Sequence, residues 1–211
     1  MAEWSNGIEV FADVSCPFAH VGLQRLVAKR AEMGREDIRF WVRSWPLEIV
    51  NGEPRTGEGL RGIVADIREQ VAPDSFAAFD AERFPSTLLP AMTLADYAYD
   101  QSLDSGERIS LELRDLVFEQ GVDVSDASVL ADLAARYGIE ITPAELFDRA
   151  RMDVDHAAGI QRGVIGSPHF FVGDANFFCP GLVIQRNPGG KNLVEIDTAS
   201  FDAFAAICFG T

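Results

Sequence analysis

Cys16 is the residue whose type and surroundings point most directly to chemistry. Residues 8–13 before it alternate apolar and other side chains, as a β-strand does, and Pro17 after it suits the first turn of a helix. The unpaired N–H groups and the dipole at a helix start favour an anion, so this position can lower the pKa of a thiol. We therefore predict a nucleophilic thiol at Cys16, with a packing role as the alternative.

A second candidate segment, residues 163–172, lies far downstream and contains Ser167, Pro168 and an apolar run. A small residue followed by proline and a strand is typical of a cis X–Pro bond. Such a loop turns the backbone of Ser167 outwards, where its N–H and C=O can pair with an extended thiol-bearing peptide. The alternative is an ordinary proline at the entry to an edge strand.

The elements that position these segments follow from the hydrophobic pattern. A strand at residues 8–13, a helix at 17–33 and a strand at 38–43 have the size of a β-α-β unit, which makes the two strands parallel. Residues 60 to about 162 are nearly all helical by pattern, in several helices, and a capping box at residues 142–145 is expected to open a long one.

The strand pattern returns after this helical block. Residues 169–172 and 177–179 are predicted strands, and residues 200–208 form a closing apolar helix. Because the late strands need the early sheet to bury their faces, we predict an α/β fold with an inserted all-helical block.

The two segments together resemble one known family. The stretches of residues 13–22 and 163–171 are similar to the DsbA-like branch of the thioredoxin superfamily. Within that branch the pattern resembles FrnE-like proteins, kappa-class glutathione transferases and 2-hydroxychromene-2-carboxylate isomerases. The tail segments 177–181 and 187–190 are similar to actinobacterial mycothiol-dependent reductases of the same branch.

This resemblance implies a fold and a site. The expected thioredoxin-like domain comprises residues 1–56 and 160–211, and the helical insertion domain comprises residues 57–159. The expected catalytic residue is Cys16. The residues expected to bind the substrate thiol are Ser15, Pro17, Phe18, His20, Ser167 and Pro168.

The chain departs from its relatives at the second motif cysteine. The redox members carry Cys-x-x-Cys, whereas Ala19 stands here at the resolving position. The motif alone therefore cannot release a mixed disulfide. Either a remote cysteine, Cys179, resolves it, or a low-molecular-weight thiol such as glutathione or mycothiol does. We favour the small thiol and a monothiol enzyme, and we expect Cys208 to be a core residue.

Three functions are compatible with this departure. The favoured one is a thiol–disulfide oxidoreductase that uses Cys16 and a low-molecular-weight thiol as co-substrate, with no tightly bound cofactor. The first alternative is a thiol-dependent transferase or isomerase in which Cys16 orients the thiol of bound glutathione. The second is a non-catalytic thiol- or peptide-binding domain.

Three further side chains are ambiguous by sequence. His20, four residues after Cys16, either forms a thiolate–imidazolium pair with it or is a partly exposed helix residue, which we favour. Phe18 either lines the substrate groove or packs in the core. Thr87 lies in a segment that resembles the loop by which related proteins close the cleft from the helical domain.

Composition limits the partners. The 33 acidic against 18 basic residues give a formal net charge of −15, which disfavours nucleic acid and anionic membranes. The chain has no apolar run long enough to cross a bilayer, and its start does not resemble a secretory signal, so we expect a cytoplasmic location. The scattered cysteines and histidines predict no metal site. The expected partners are small or peptide thiols and disulfides, and the relatives suggest a homodimer.

Overall fold

The computed structural model describes residues 7–187 and 190–210, and a four-stranded sheet lies at its centre. In chain order its strands are β1 (Gly7–Ala12), β2 (Arg39–Ser44), β3 (His169–Val172) and β4 (Ala175–Phe178). Their order across the sheet is β2-β1-β3-β4. Strand β2 is parallel to β1, and β3 is antiparallel to β1. The predicted parallel β-α-β unit is thereby confirmed.

Helices occupy most of the chain between β2 and β3. In chain order the helices are α1 (Pro17–Glu32), α2 (Leu47–Asn51), α3 (Gly57–Gln70), α4 (Leu89–Gln101), α5 (Leu103–Phe118), α6 (Ala127–Arg136), α7 (Ala150–Gln161) and α8 (Thr198–Phe209). Since α2 to α7 all follow β2 and precede β3, the predicted α/β class with a helical insertion is confirmed. The division into two domains at residues 57 and 159 stays a prediction.

Side chains of the inserted helices complete the open edge of the sheet at β2. The N–H groups of alternate β2 residues donate to these side chains: Phe40 to Glu107 Oε2 (2.7 Å), Val42 to Tyr99 Oη (2.8 Å) and Ser44 to Asp155 Oδ2 (3.1 Å). The Tyr99 hydroxyl also donates to the Phe40 carbonyl at 2.9 Å. An edge that would otherwise expose unpaired backbone groups is thus satisfied by α4, α5 and α7.

The capping box at residues 142–145 forms, but it opens only a 3-10 turn, Glu145–Phe147. The Thr142 N–H donates to Glu145 Oε2 at 2.7 Å, and the Glu145 N–H donates to Thr142 Oγ1 at 3.3 Å. Asp148 is then extended, and its carboxylate accepts from the Ala150 N–H at 3.0 Å. The predicted single long helix is wrong because the extended Asp148 ends the 3-10 turn and α7 begins only at Ala150.

A two-stranded hairpin between the sheet and α8 was not predicted. Its strands are β5 (Leu182–Gln185) and β6 (Leu193–Ile196). Each strand is only four residues long and leaves much of its apolar surface exposed, so the sequence pattern is weak. Pro188 and Gly189 of the tail segment lie outside the described residues.

Residues 7–187 and 190–210 contain neither a membrane-spanning helix nor a cluster of metal-ligating side chains. Within these ranges no helix is both long and apolar enough to cross a bilayer. In the same ranges no group of three or more His, Cys, Asp and Glu side chains is placed to hold a metal ion.

Tyr99→Phe tests the role of the helical insertion in completing the sheet edge. Removing the hydroxyl leaves the buried Val42 N–H without an acceptor, so we expect a loss of about 1–3 kcal/mol in the free energy of unfolding. Urea denaturation measures this loss. Tyr97→Phe on the same helix is the control, because Tyr97 contacts the Arg151 guanidinium and not the strand. Equal stability of the two variants would contradict the role given to Tyr99.

Candidate active site

The sheet register brings three distant segments to one end of the sheet. Phe11, near the end of β1, pairs with His169 at the start of β3, and His169 pairs with Phe178 at the end of β4. Residues that follow β1, precede β3 and follow β4 therefore meet. These residues include Cys16, the Ser167–Pro168 pair and Cys179.

Cys16 caps the N-terminus of α1 and faces the proline loop. Its backbone is extended and Pro17 is the first helical residue, as the sequence predicts. The Cys16 thiol donates a hydrogen bond to the Ser167 carbonyl oxygen at 3.1 Å. The Ser167–Pro168 peptide bond is cis, which also agrees with the sequence prediction.

Asp13 holds the surrounding backbone in place, a role that the sequence reasoning missed. Its carboxylate accepts from the N–H groups of Ser15 and Leu47, each at 2.6 Å, and its own N–H donates to Ser167 Oγ at 3.0 Å. Asp13 is itself buried. The available signal was an acidic residue at the inner end of an apolar strand, where a charge needs partners.

Burial dominates the electrostatics of the Cys16 thiol and raises its pKa above the ordinary value. The Ser167 side chain, the Ala19 N–H and the Arg55 guanidinium lower the pKa, and Asp13 raises it. Burial outweighs the groups that favour the thiolate. The prediction that the helix start lowers the pKa of Cys16 is therefore wrong. The resting sulfur is a protonated thiol that acts as a hydrogen-bond donor.

Cys179 lies at the same carbonyl. Its thiol is 3.9 Å from the Ser167 carbonyl oxygen, and its backbone N–H donates to the Pro168 carbonyl at 3.1 Å. Burial raises the pKa of the Cys179 thiol most strongly, the nearby Cys16 raises it further, and Arg186 lowers it. Two thiols therefore lie next to one backbone acceptor.

A family model described as the DSBA-like thioredoxin domain matches residues 7–187. The chain belongs to the DSBA-like thioredoxin family. Since the match covers both cysteines and the proline loop, the expected DsbA-like relationship and thioredoxin-like fold are confirmed.

Two solved structures are similar to this DSBA-like chain. A probable DsbA oxidoreductase from Streptomyces coelicolor has a TM-score of 0.66 and 17% identity, over 97% of this chain and 90% of that one. A 2-hydroxychromene-2-carboxylate isomerase has a TM-score of 0.58 and 17% identity, over 82% and 88% respectively. At such low identity these likenesses concern the fold alone. No curated protein sequence matches significantly.

The second motif position of this DSBA-like domain holds Ala19, which is fully buried in α1. The Ala19 backbone N–H favours the thiolate form of Cys16, but the alanine side chain supplies no second thiol. Within the described residues, the free cysteines are Cys16, Cys179 and Cys208. Cys208 is buried in α8, in agreement with its expected core position.

His20 does not have the environment that was favoured for it. It is buried rather than partly exposed, and its Nε2 lies 2.6 Å from Glu119 Oε1. Its ring packs against Phe76 and Phe118. Burial alone would raise the pKa of Glu119, but the hydrogen bonds from His20 and from the N–H groups of residues 76 and 77 lower it to about 2. His20 therefore links α1 to the helical insertion.

The other predicted residues are also tightly packed. Ser15 and Pro17 are buried, and Phe18 is buried in the hydrophobic core, which favours its packing alternative. Thr87 Oγ1 donates to Glu48 Oε2 at 2.7 Å and accepts from the Leu89 N–H at 3.3 Å. Thr87 thus joins the segment before α4 to α2.

The raised pKa of Cys16 predicts the pH dependence of its alkylation. Only the thiolate reacts, so in the folded protein the half-maximal rate should lie at a higher pH than the free-cysteine value of about 8.5. Peptide mass spectrometry after iodoacetamide pulses measures the rate at Cys16, and the chain in denaturant is the control. A folded-state profile shifted below that of the unfolded chain would contradict the dominance of burial.

Proposed function

We propose that this protein is a thiol–disulfide oxidoreductase in which Cys16 is the nucleophile and a low-molecular-weight thiol is the reductant. The observation that carries the proposal is the Cys16 thiol at the start of α1, 3.1 Å from the Ser167 carbonyl. An ionisable sulfur at a helix N-terminus beside a backbone acceptor is suited to align an incoming disulfide.

The reaction begins when Cys16 loses its proton and attacks one sulfur of the substrate disulfide. A bond forms between Cys16 Sγ and that sulfur, the substrate S–S bond breaks, and the other sulfur leaves as a thiolate that takes up a proton. Loss of the thiol proton also removes the hydrogen bond to Ser167. The freed Ser167 carbonyl can then accept from an N–H of the substrate.

The residues predicted to bind the substrate divide into two groups. Ser167 and Pro168 supply the surface on which the substrate lies. Ser15, Pro17, Phe18 and His20 position Cys16. Burial does not separate the two groups, because Ser167 and Pro168 are buried as well, so the division rests on the contact of the Ser167 carbonyl with the Cys16 thiol. Thr87 has an indirect role at most, because its hydroxyl is engaged by Glu48.

The reductant is glutathione or mycothiol in this proposal. The half-buried Arg55 acts on the Cys16 sulfur as a cation and can also attract a carboxylate, which glutathione carries and mycothiol lacks. We further propose a reducing, cytoplasmic location, in which the three cysteines stay as the free thiols observed. The homodimer also stays a prediction.

A thiol-dependent transferase or isomerase is the second candidate, and one observation favours it. The resting Cys16 is a protonated donor with a raised pKa, which suits a group that orients a bound thiol by hydrogen bonding. A covalent change at Cys16 after reaction with oxidised glutathione, either a glutathione adduct or an internal disulfide, favours redox exchange. Saturable non-covalent glutathione binding that leaves Cys16 a free thiol favours transfer or isomerisation.

Cys16→Ser tests the nucleophile. Serine retains a hydrogen-bond donor at this position but cannot form a disulfide, so turnover of a glutathione-mixed disulfide should fall on the order of a thousandfold or more. Cys208→Ser is the matched control and should retain activity, because Cys208 lies in α8. Unchanged turnover in Cys16→Ser would remove the nucleophile from the account.

Arg55→Gln tests the cation that opposes burial. Without the guanidinium the pKa of Cys16 should rise further, and thiol exchange near neutral pH should slow severalfold because the thiolate fraction is smaller. Arg55→Lys should restore most of the rate. Stopped-flow measurement of exchange from pH 7 to pH 10 separates a shifted pH profile from a loss of substrate binding. An unshifted profile in Arg55→Gln would contradict the electrostatic role.

A further inference from the structure

The observation that extends the proposed function is the convergence of two thiols on one carbonyl. Cys16 Sγ lies 3.1 Å and Cys179 Sγ lies 3.9 Å from the Ser167 carbonyl oxygen. The two sulfurs therefore cannot be farther apart than the sum of these distances, 7.0 Å. Both residues are almost fully buried, with 3% and 5% of their surface exposed.

The fold holds Cys179 at this position through its backbone. Cys179 directly follows β4, whose last residue pairs with the first residue of β3. Its N–H donates to the Pro168 carbonyl, and its carbonyl accepts from the Leu182 N–H, each at 3.1 Å. The N–H and the carbonyl of Cys179 are therefore both held by backbone hydrogen bonds, which keep its side chain beside the proline loop.

The backbone of Cys179 is also unusual. Its φ of +45° lies in the left-handed region, which favours glycine and asparagine and is uncommon for other residues. A cysteine kept in such a conformation next to a nucleophile points to a use for its sulfur.

We propose that Cys179 is the resolving thiol of the Cys16 reaction, an inference that rests on the proposed function. After Cys16 has formed a mixed disulfide, the sulfur of Cys179 attacks Cys16 Sγ. A Cys16–Cys179 bond forms, the bond between Cys16 and the substrate sulfur breaks, and the departing thiolate takes up the proton that Cys179 gives up.

The electrons balance over the two steps. The two cysteine thiols are oxidised to one internal disulfide, and the substrate disulfide is reduced to two thiols. A low-molecular-weight thiol, the reductant already named, then restores both cysteines and is itself oxidised to its disulfide. Cys179 thus takes the role of the second motif cysteine, whose position is occupied here by Ala19. It is distant from Cys16 in sequence but lies at the same end of the sheet.

Cys208 provides a matched control for this assignment. It lines a cavity of about 280 Å³ together with Gly7 at the start of β1 and Val172 at the end of β3. Those positions are at the opposite end of the sheet from Cys16. Cys208 is thus a third buried thiol without access to the reaction.

The experiment treats the reduced protein with a stoichiometric amount of oxidised glutathione, then quenches with acid and alkylates the free thiols. Peptide mass spectrometry identifies the linked cysteines, and a thiol assay counts the glutathione released. The proteins compared are the native chain, Cys179→Ser, Cys208→Ser and Cys16→Ser, each checked for folding by circular dichroism.

The expected result is a peptide linking Cys16 to Cys179 in the native chain and in Cys208→Ser, with both halves of the glutathione disulfide released. Cys179→Ser should keep glutathione on Cys16. If the native chain also keeps glutathione on Cys16, with Cys179 alkylated as a free thiol, the resolving role is overturned while the proposed function stands. If Cys16 carries glutathione in neither the native chain nor Cys179→Ser, and no linked peptide forms, both the resolving role and the proposed function are overturned. Because the linked peptide is sought in the native chain, this readout does not depend on whether any variant folds.

Discussion

The hydrogen bond from the Cys16 thiol to the Ser167 carbonyl is the contact on which the candidate site depends. It joins residues that are 151 positions apart in the sequence, and the antiparallel pairing of β1 with β3 makes it achievable. Asp13 fixes both sides of it, since its carboxylate holds the Ser15 N–H and its own N–H holds Ser167 Oγ. The position of the sulfur is therefore set by the sheet and by one buried carboxylate.

Two opposing effects act on that sulfur. The start of a helix, the Ala19 N–H and Arg55 favour the thiolate, whereas burial favours the neutral thiol and prevails. In the proposed reaction, a substrate that reaches the sulfur changes this balance, because it takes over the Ser167 carbonyl and ends the hydrogen bond that the neutral thiol donates.

The parts of the fold that follow from local pattern could be predicted from the sequence. The alternation in residues 8–13, Pro17 after Cys16 and the run after Pro168 predicted the strand–helix junction and the cis proline loop, and both are present. What could not be predicted depends on tertiary contacts. The hydrogen bond of His20 with Glu119, the hydrogen bonds of Asp13 and the side chains that complete β2 depend on segments far away in sequence. The nearness of Cys179 to Cys16 is of the same kind, since it requires the β3–β4 register.

The central claim is that disulfide chemistry takes place at Cys16 beside the Ser167 carbonyl. A crystal structure of the protein after reaction with oxidised glutathione tests it most directly. The account predicts continuous sulfur–sulfur density from Cys16 next to the Ser167–Pro168 loop. An unmodified Cys16 thiol that still donates to the Ser167 carbonyl, with oxidation at Cys208 or at no cysteine, would contradict it.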